Sequence, residues 1–102
     1  MFETFRGDTF SKKVSIEGYT LQPDDIIHVA ILLSSMGGII YDSVEKIITE
    51  TDNYVISIPA TETEKLIPGV LTLEIELTYG DGFVKTQQYE LIVKADGIRW
   101  MI

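Results

Sequence analysis

From Tyr54 to Val93 the chain reads YVISIPATETEKLIPGVLTLEIELTYGDGFVKTQQYELIV, and its second half constrains the fold most. Leu71, Leu73, Ile75, Leu77 and Tyr79 alternate with Thr72, Glu74, Glu76 and Thr78. Successive side chains of a strand point to opposite faces, so this period of two predicts a strand with one apolar and one polar face. Gly80-Asp81-Gly82 supplies hairpin-turn chemistry. Phe83 to Val93 then returns with Tyr89, Leu91 and Val93 aligned inward. Upstream, Tyr54 to Ile58 reads as a further strand. Thr61 with Glu64 three residues later is a capping-box pattern, which predicts a helical turn reaching Leu66 and stopped by Pro68-Gly69.

The same period governs most of the remaining chain. Phe10, Lys12, Val14 and Ile16 share one strand face, and Ser11, Lys13, Ser15 and Glu17 share the other. Glu17-Gly18 and Pro23-Asp24-Asp25 are turn formers on either side of Tyr19 and Leu21. Ile26 to Leu33 is nearly continuous apolar sequence broken by His28, as in a central strand covered on both faces or on one face plus a partner. Ser34 to Gly38 closes that strand with glycines suited to a tight reversal. Ile39 to Thr51 fits two periods. Ile40, Asp42, Val44, Lys46 and Ile48 alternate like a strand, while Val44, Ile47 and Ile48 have helical spacing. β-Branched residues and β neighbours favour the strand. About seven short strands with regular turns give an all-β, immunoglobulin-like antiparallel sandwich with one short helical turn. Residues 1–97 are expected to form a single domain, followed by an apolar tail over 98–102.

Composition bounds the function. With 102 residues the natural count is one domain. A hydrophobic fraction of 45% is that of an ordinary globular chain. No run approaches the roughly 18 apolar residues of a membrane span, and MFETFRGDTF lacks a signal-peptide pattern. The absence of cysteine excludes a disulfide framework and thiolate metal sites, and fits a protein made in the cytosol. A net charge of −8 with scattered Lys and Arg repels phosphate backbones, so nucleic acid is a poor partner. No membrane partner is expected either.

Several short signals invite a chemical reading. Arg6-Gly7-Asp8 spells an integrin-type tripeptide, but a turn with a flexible glycine accounts for it more simply. His28 is the sole histidine, so no histidine cluster can bind a metal, and it reads as a packed or edge residue. Glu74 and Glu76 are spaced as a carboxylate pair, yet they fall on the face opposite the apolar stripe, where solvation is the default. Asp24, Asp25 and Asp81 could supply oxygen ligands to calcium, but they lack the ligand spacing of a known loop and suit turns. Tyr19, Tyr41, Tyr54, Tyr79 and Trp100 could stack on sugars if their rings were exposed together. The resulting expectation is no catalytic residue, no metal and no cofactor.

Taken together, the chain resembles the small immunoglobulin-like domains of tailed-phage and prophage virion proteins. The resemblance rests on Arg6-Gly7-Asp8-Thr9-Phe10 leading into the first long strand, Ala60 to Gly69 as the helical turn, Thr78 to Thr86 as the hairpin, and Tyr89 to Lys94 as the last strand. It covers nearly the whole chain. Where that pattern usually has aromatic residues after Pro-Gly, this chain has Val70 and Leu71. The cysteine pair and central-strand tryptophan of antibody domains are missing. The resemblance implies a non-enzymatic structural role in a tail, baseplate or head accessory complex. Other virion proteins would be the partners, and the chain would form a homo-oligomer. A bacterial carbohydrate- or surface-binding module is the alternative.

Ile98-Arg99-Trp100-Met101-Ile102 points the same way. Free tails are normally polar, and an exposed Trp-Met-Ile makes a sticky patch. The segment either folds back as a last strand or pairs with a neighbour by strand addition, with Trp100 as an anchor. The expected interface residues are Phe2, Phe5, Ile98, Trp100, Met101 and Ile102, with Met1 beside them.

Overall fold

A computed structural model describes residues 2–16, 18–34 and 36–95. In chain order these form β1 (Phe2–Phe5), β2 (Phe10–Val14), β3 (Ile26–Ser34), β4 (Gly37–Lys46), β5 (Tyr54–Ile58), the single-turn helix α1 (Ala60–Thr63), β6 (Gly69–Thr78) and β7 (Val84–Lys94). The strands make two layers. Five pair in the order β1-β7-β6-β3-β4, and β2 pairs with β5 in a smaller sheet. The architecture is the expected β-sandwich of seven strands and one helical turn.

The β6–β7 hairpin shows why the alternating sequence works. Leu71 pairs with Leu91 and Leu73 with Tyr89, so the inward residues of both strands fall in the same rows. Leu71, Leu73, Ile75 and Leu77 are all buried. The intervening rows face outward, where Gln88 Nε2 donates to Glu74 Oε1 at 2.9 Å. β3 runs antiparallel to β6 and adds Ile27, Val29 and Ile31 to the same apolar face. Phe10 from β2 and Ile56 and Ile58 from β5 close over it, together with Leu21, Ile47 and Leu66 from the connections.

Five details depart from the sequence expectations. β1, at residues expected to join an interface, is a strand that pairs parallel to β7 and so departs from an antiparallel sandwich, with Phe2 opposite Leu91 and Phe5 opposite Lys94. Thr61 is not a helix cap. Pro59 takes the cap position two residues earlier, with φ −67° and ψ 155°, and its side chain has no acceptor to make a cap bond. The first long strand ends at Val14, and Ile16 instead makes an isolated bridge to Tyr19. The strand reading of the ambiguous segment holds for Gly37–Lys46, but Ile47 to Thr51 leaves it. Ile40 is the extra residue opposite the Ile31/Leu32 step, a bulge that shifts the pairing register.

β3 is an interior strand, with β6 on one side and β4 on the other. His28 lies on its outer face, away from either edge. Ala30 and Leu32 on that same outer face are nonetheless buried. Ala30 sits in one row with Glu74 and Asp42, and Leu32 in one row with Thr72 and Ile39.

Candidate functional site

The loops at one pole of the sandwich are tied together by a buried carboxylate. Asp25 is 2% exposed. Its Oδ2 accepts from the Tyr19 hydroxyl at 2.6 Å and from the Gln22 amide at 2.9 Å, and its Oδ1 accepts from the Gly80 amide at 3.1 Å. Three donors replace the water that the carboxylate loses on burial. The bond to Asp25, then burial, pushes the Tyr19 phenol up to about 12. Tyr19 also packs edge-to-face on Tyr79, ring centroids 4.7 Å apart.

Beside this tie lies an open groove of about 390 Å³ between the end of β4 and the start of β5. Its floor is braced by backbone bonds. Ile47 N–H donates to the Asp25 carbonyl at 2.8 Å, and Asp24 N–H donates to the Ile47 carbonyl at 3.0 Å. Leu21 and Thr51 exchange two more bonds, at 2.8 and 3.0 Å. Tyr54 spans the two layers and donates its hydroxyl to Glu45 Oε2 at 2.6 Å. Burial first, and that bond second, hold its phenol above the ordinary range. Ile47 is buried in the floor, whereas Ile48 is 84% and Val55 51% exposed at the rim. Lys46 is drawn to Asp24 at 3.0 Å, leaving Glu45, Glu50 and Asp52 to make the surroundings acidic.

Two strand edges flank this groove. β4 pairs only with β3 and β5 only with β2 among the described residues, so one edge of each strand has no strand partner there. An unpaired edge presents a row of amide and carbonyl groups ready to accept an added strand. Along β4 the apolar Ile39 and Val44 are more than half exposed.

The expected interface residues are not gathered on one surface. Phe2 packs inside the chain against Phe10 and Tyr89, at 6.1 and 5.2 Å between centroids. Phe5 is 40% exposed, with the Lys94 ammonium 5.4 Å above its ring. Met1 and Ile98, Trp100, Met101 and Ile102 lie outside the described residues.

The other sequence signals find ordinary places. Arg6-Gly7-Asp8 forms the turn out of β1, with Gly7 at φ 81° and the Asp8 carbonyl accepting from Thr63 Oγ1 at 2.7 Å. His28 Nε2 sits 3.1 Å from Asp42 Oδ2 on the neighbouring strand. Glu74 and Glu76 do lie on the outer face, in rows facing Gln88 and Thr86. Asp81 accepts from the Phe83 amide at 3.2 Å and shapes its hairpin turn. Among the described residues, no three His, Asp or Glu side chains form a group able to hold a metal. Tyr19, Tyr41, Tyr54 and Tyr79 all pack against the core.

Sequence reasoning missed the groove and the Asp25 tie. The pair Asp24-Asp25 reads as turn chemistry, and the turn is there, with Asp24 at φ 78° and the Asp25 amide donating to the Gln22 carbonyl at 3.1 Å, but the sequence does not show that the Asp25 side chain is its buried tie. The donors to Asp25 come from Tyr19 and Gly80, which the sequence does not place together.

Comparison with protein-family models and with curated proteins finds no match. Among solved structures the chain is similar to CopC from Methylosinus trichosporium OB3b, with a TM-score of 0.58 and 16% sequence identity. The match covers 94% of this chain and 85% of that one. At that identity the likeness is one of fold: the two chains share a β-sandwich frame.

Proposed function

We propose that this chain is a non-enzymatic docking domain of a tailed-phage or prophage particle, serving tail, baseplate or head accessory assembly through protein–protein contacts. The observation that carries the docking role is that β4 and β5, each with one edge lacking a strand partner among the described residues, border one braced groove with exposed Ile48 and Val55 at its rim. Such edges favour partners that bring their own strand, because main-chain bonds supply affinity and alternate side chains supply fit. The particle context rests on the resemblance of Arg6 to Phe10, Ala60 to Gly69, Thr78 to Thr86 and Tyr89 to Lys94 to virion domains. In this reading the partners are other particle proteins and further copies of the chain. A net charge of −8 keeps it soluble until it docks.

The test is the composition of particles purified from the source strain. Quantitative mass spectrometry is expected to find this chain in fixed ratio to the tail or head proteins. Particles complete in those proteins but lacking this chain would overturn the assignment.

A further inference from the structure

The groove between β4 and β5 has the form of a receptor for an extended apolar segment, and the sequence contains one. Ile98, Trp100 and Ile102 alternate with Arg99 and Met101, so an extended conformation sets three large apolar side chains on one side. Arg99 and Met101 then fall on the face turned away from that apolar contact. We propose that residues 98–102 of one copy dock in the groove of a second copy, adding a strand to the free edge of β5 at its Tyr54 end. Trp100 would lie over Ile47 between Ile48 and Val55. This deepens the docking reading and rests on it.

Geometry decides between a copy's own segment and a neighbour's. Val84, Thr78, Ile26 and Lys46 form one row across the large sheet, and Lys46 lines the groove. Lys94 lies at the far end of β7, ten residues beyond Val84. At ~3.3 Å per residue along the strand and ~4.8 Å for each of three strand spacings, Lys94 is on the order of 35 Å from the groove. Six residues lead from Lys94 to Trp100, and fully extended they span at most about 21 Å. Trp100 therefore reaches Ile47, next to Lys46 on the β4 side of the groove, only in another molecule.

Lys94, from which the donor segment leads, lies at the pole opposite the Lys46 side of the groove, so the proposed contact is head-to-tail. Such an interface propagates into a ring or an open row of copies and does not stop at a symmetric pair. The receptor is pre-formed, since the bonds of Ile47, Asp24, Leu21 and Thr51 brace it in the single chain. That lowers the ordering cost of binding to the donor segment alone.

Sedimentation equilibrium of the full-length chain and two full-length variants tests this. Trp100→Asp removes the donor and leaves the receptor. Val55→Asp, at an exposed rim position, removes the receptor and leaves the donor, and Ile48→Asp serves as a second receptor variant if Val55→Asp fails to fold. The wild-type mass is expected to rise with concentration beyond two chains, and each variant alone to stay at one. An equimolar mixture of the two variants is expected to give a two-chain species that grows no further, because each contributes one intact half. A wild type that remains one chain throughout, a Trp100→Asp variant that assembles like the wild type, or a mixture that stays at one chain would overturn the inference. Those outcomes leave the particle test untouched, so failure of self-docking and failure of the virion reading are separable.

Discussion

Asp25 is the residue on which the loop pole depends. Three donors converge on its carboxylate, from Tyr19, Gln22 and Gly80, and all three are left unpaired if it is removed. Asp25→Ala is expected to cost about 3 kcal/mol of unfolding free energy in urea titrations. Asp25→Asn, which keeps one acceptor, should cost less. The Tyr19 phenol carries the matching pH dependence. Its value in the folded chain is raised to about 12 against an ordinary 10, so the folded state holds that proton more tightly than the unfolded chain. The stability this represents is fully present below pH 10 and is lost as pH rises from 10 towards 12. Denaturation midpoints measured across that window should fall, and Tyr19→Phe should flatten part of the decline. The sequence announces a turn at Asp24-Asp25 but not this role. A carboxylate's burial depends on donors 6 and 55 positions away, and no local pattern encodes them.

At the level of elements, the hairpin of β6 and β7 was legible because one face meets the core and the other meets water, which writes a strict period of two into the residues. Leu73 sits at the centre of that stripe and is wholly buried. Leu73→Ala is expected to cost about 2–5 kcal/mol in chemical unfolding, the range for a core leucine whose cavity does not fully collapse. β1 was not legible. Four residues, FETF, carry too few alternations to register, and their parallel partner lies almost ninety positions away at Leu91 to Lys94. The helical turn was placed correctly but its cap was not, since proline and the capping box both mark a start and the proline comes first. The β3–β4 reversal has its own requirement. Gly38 has φ +85°, and a Cβ there would lie 3.1 Å from Leu33 Cβ and Cδ1. Gly38→Ala should therefore lower stability by about 1–2 kcal/mol, read as a drop in thermal midpoint with the fold retained.

For the whole molecule, the decisive feature is the mismatch between a five-stranded and a two-stranded layer. A two-stranded sheet over a five-stranded one leaves the groove between β4 and β5, and the outer edges of both strands have no strand partner among the described residues. Nothing in the alternation of single strands reports this, because it depends on how many strands each sheet collects. The fold class could therefore be read from residues 54–93, whereas the groove needed the assembled sandwich. In the role proposed for it, the chain accepts a strand at β5. Hydrogen exchange of the full-length chain at low and high concentration measures that most directly. The expected result is slower exchange at Tyr54 to Ile58 and at Glu45 to Thr49 as concentration rises, with the amides of β6 and β7 unchanged. Exchange independent of concentration throughout, or new protection confined to the outer face of the large sheet, would contradict it.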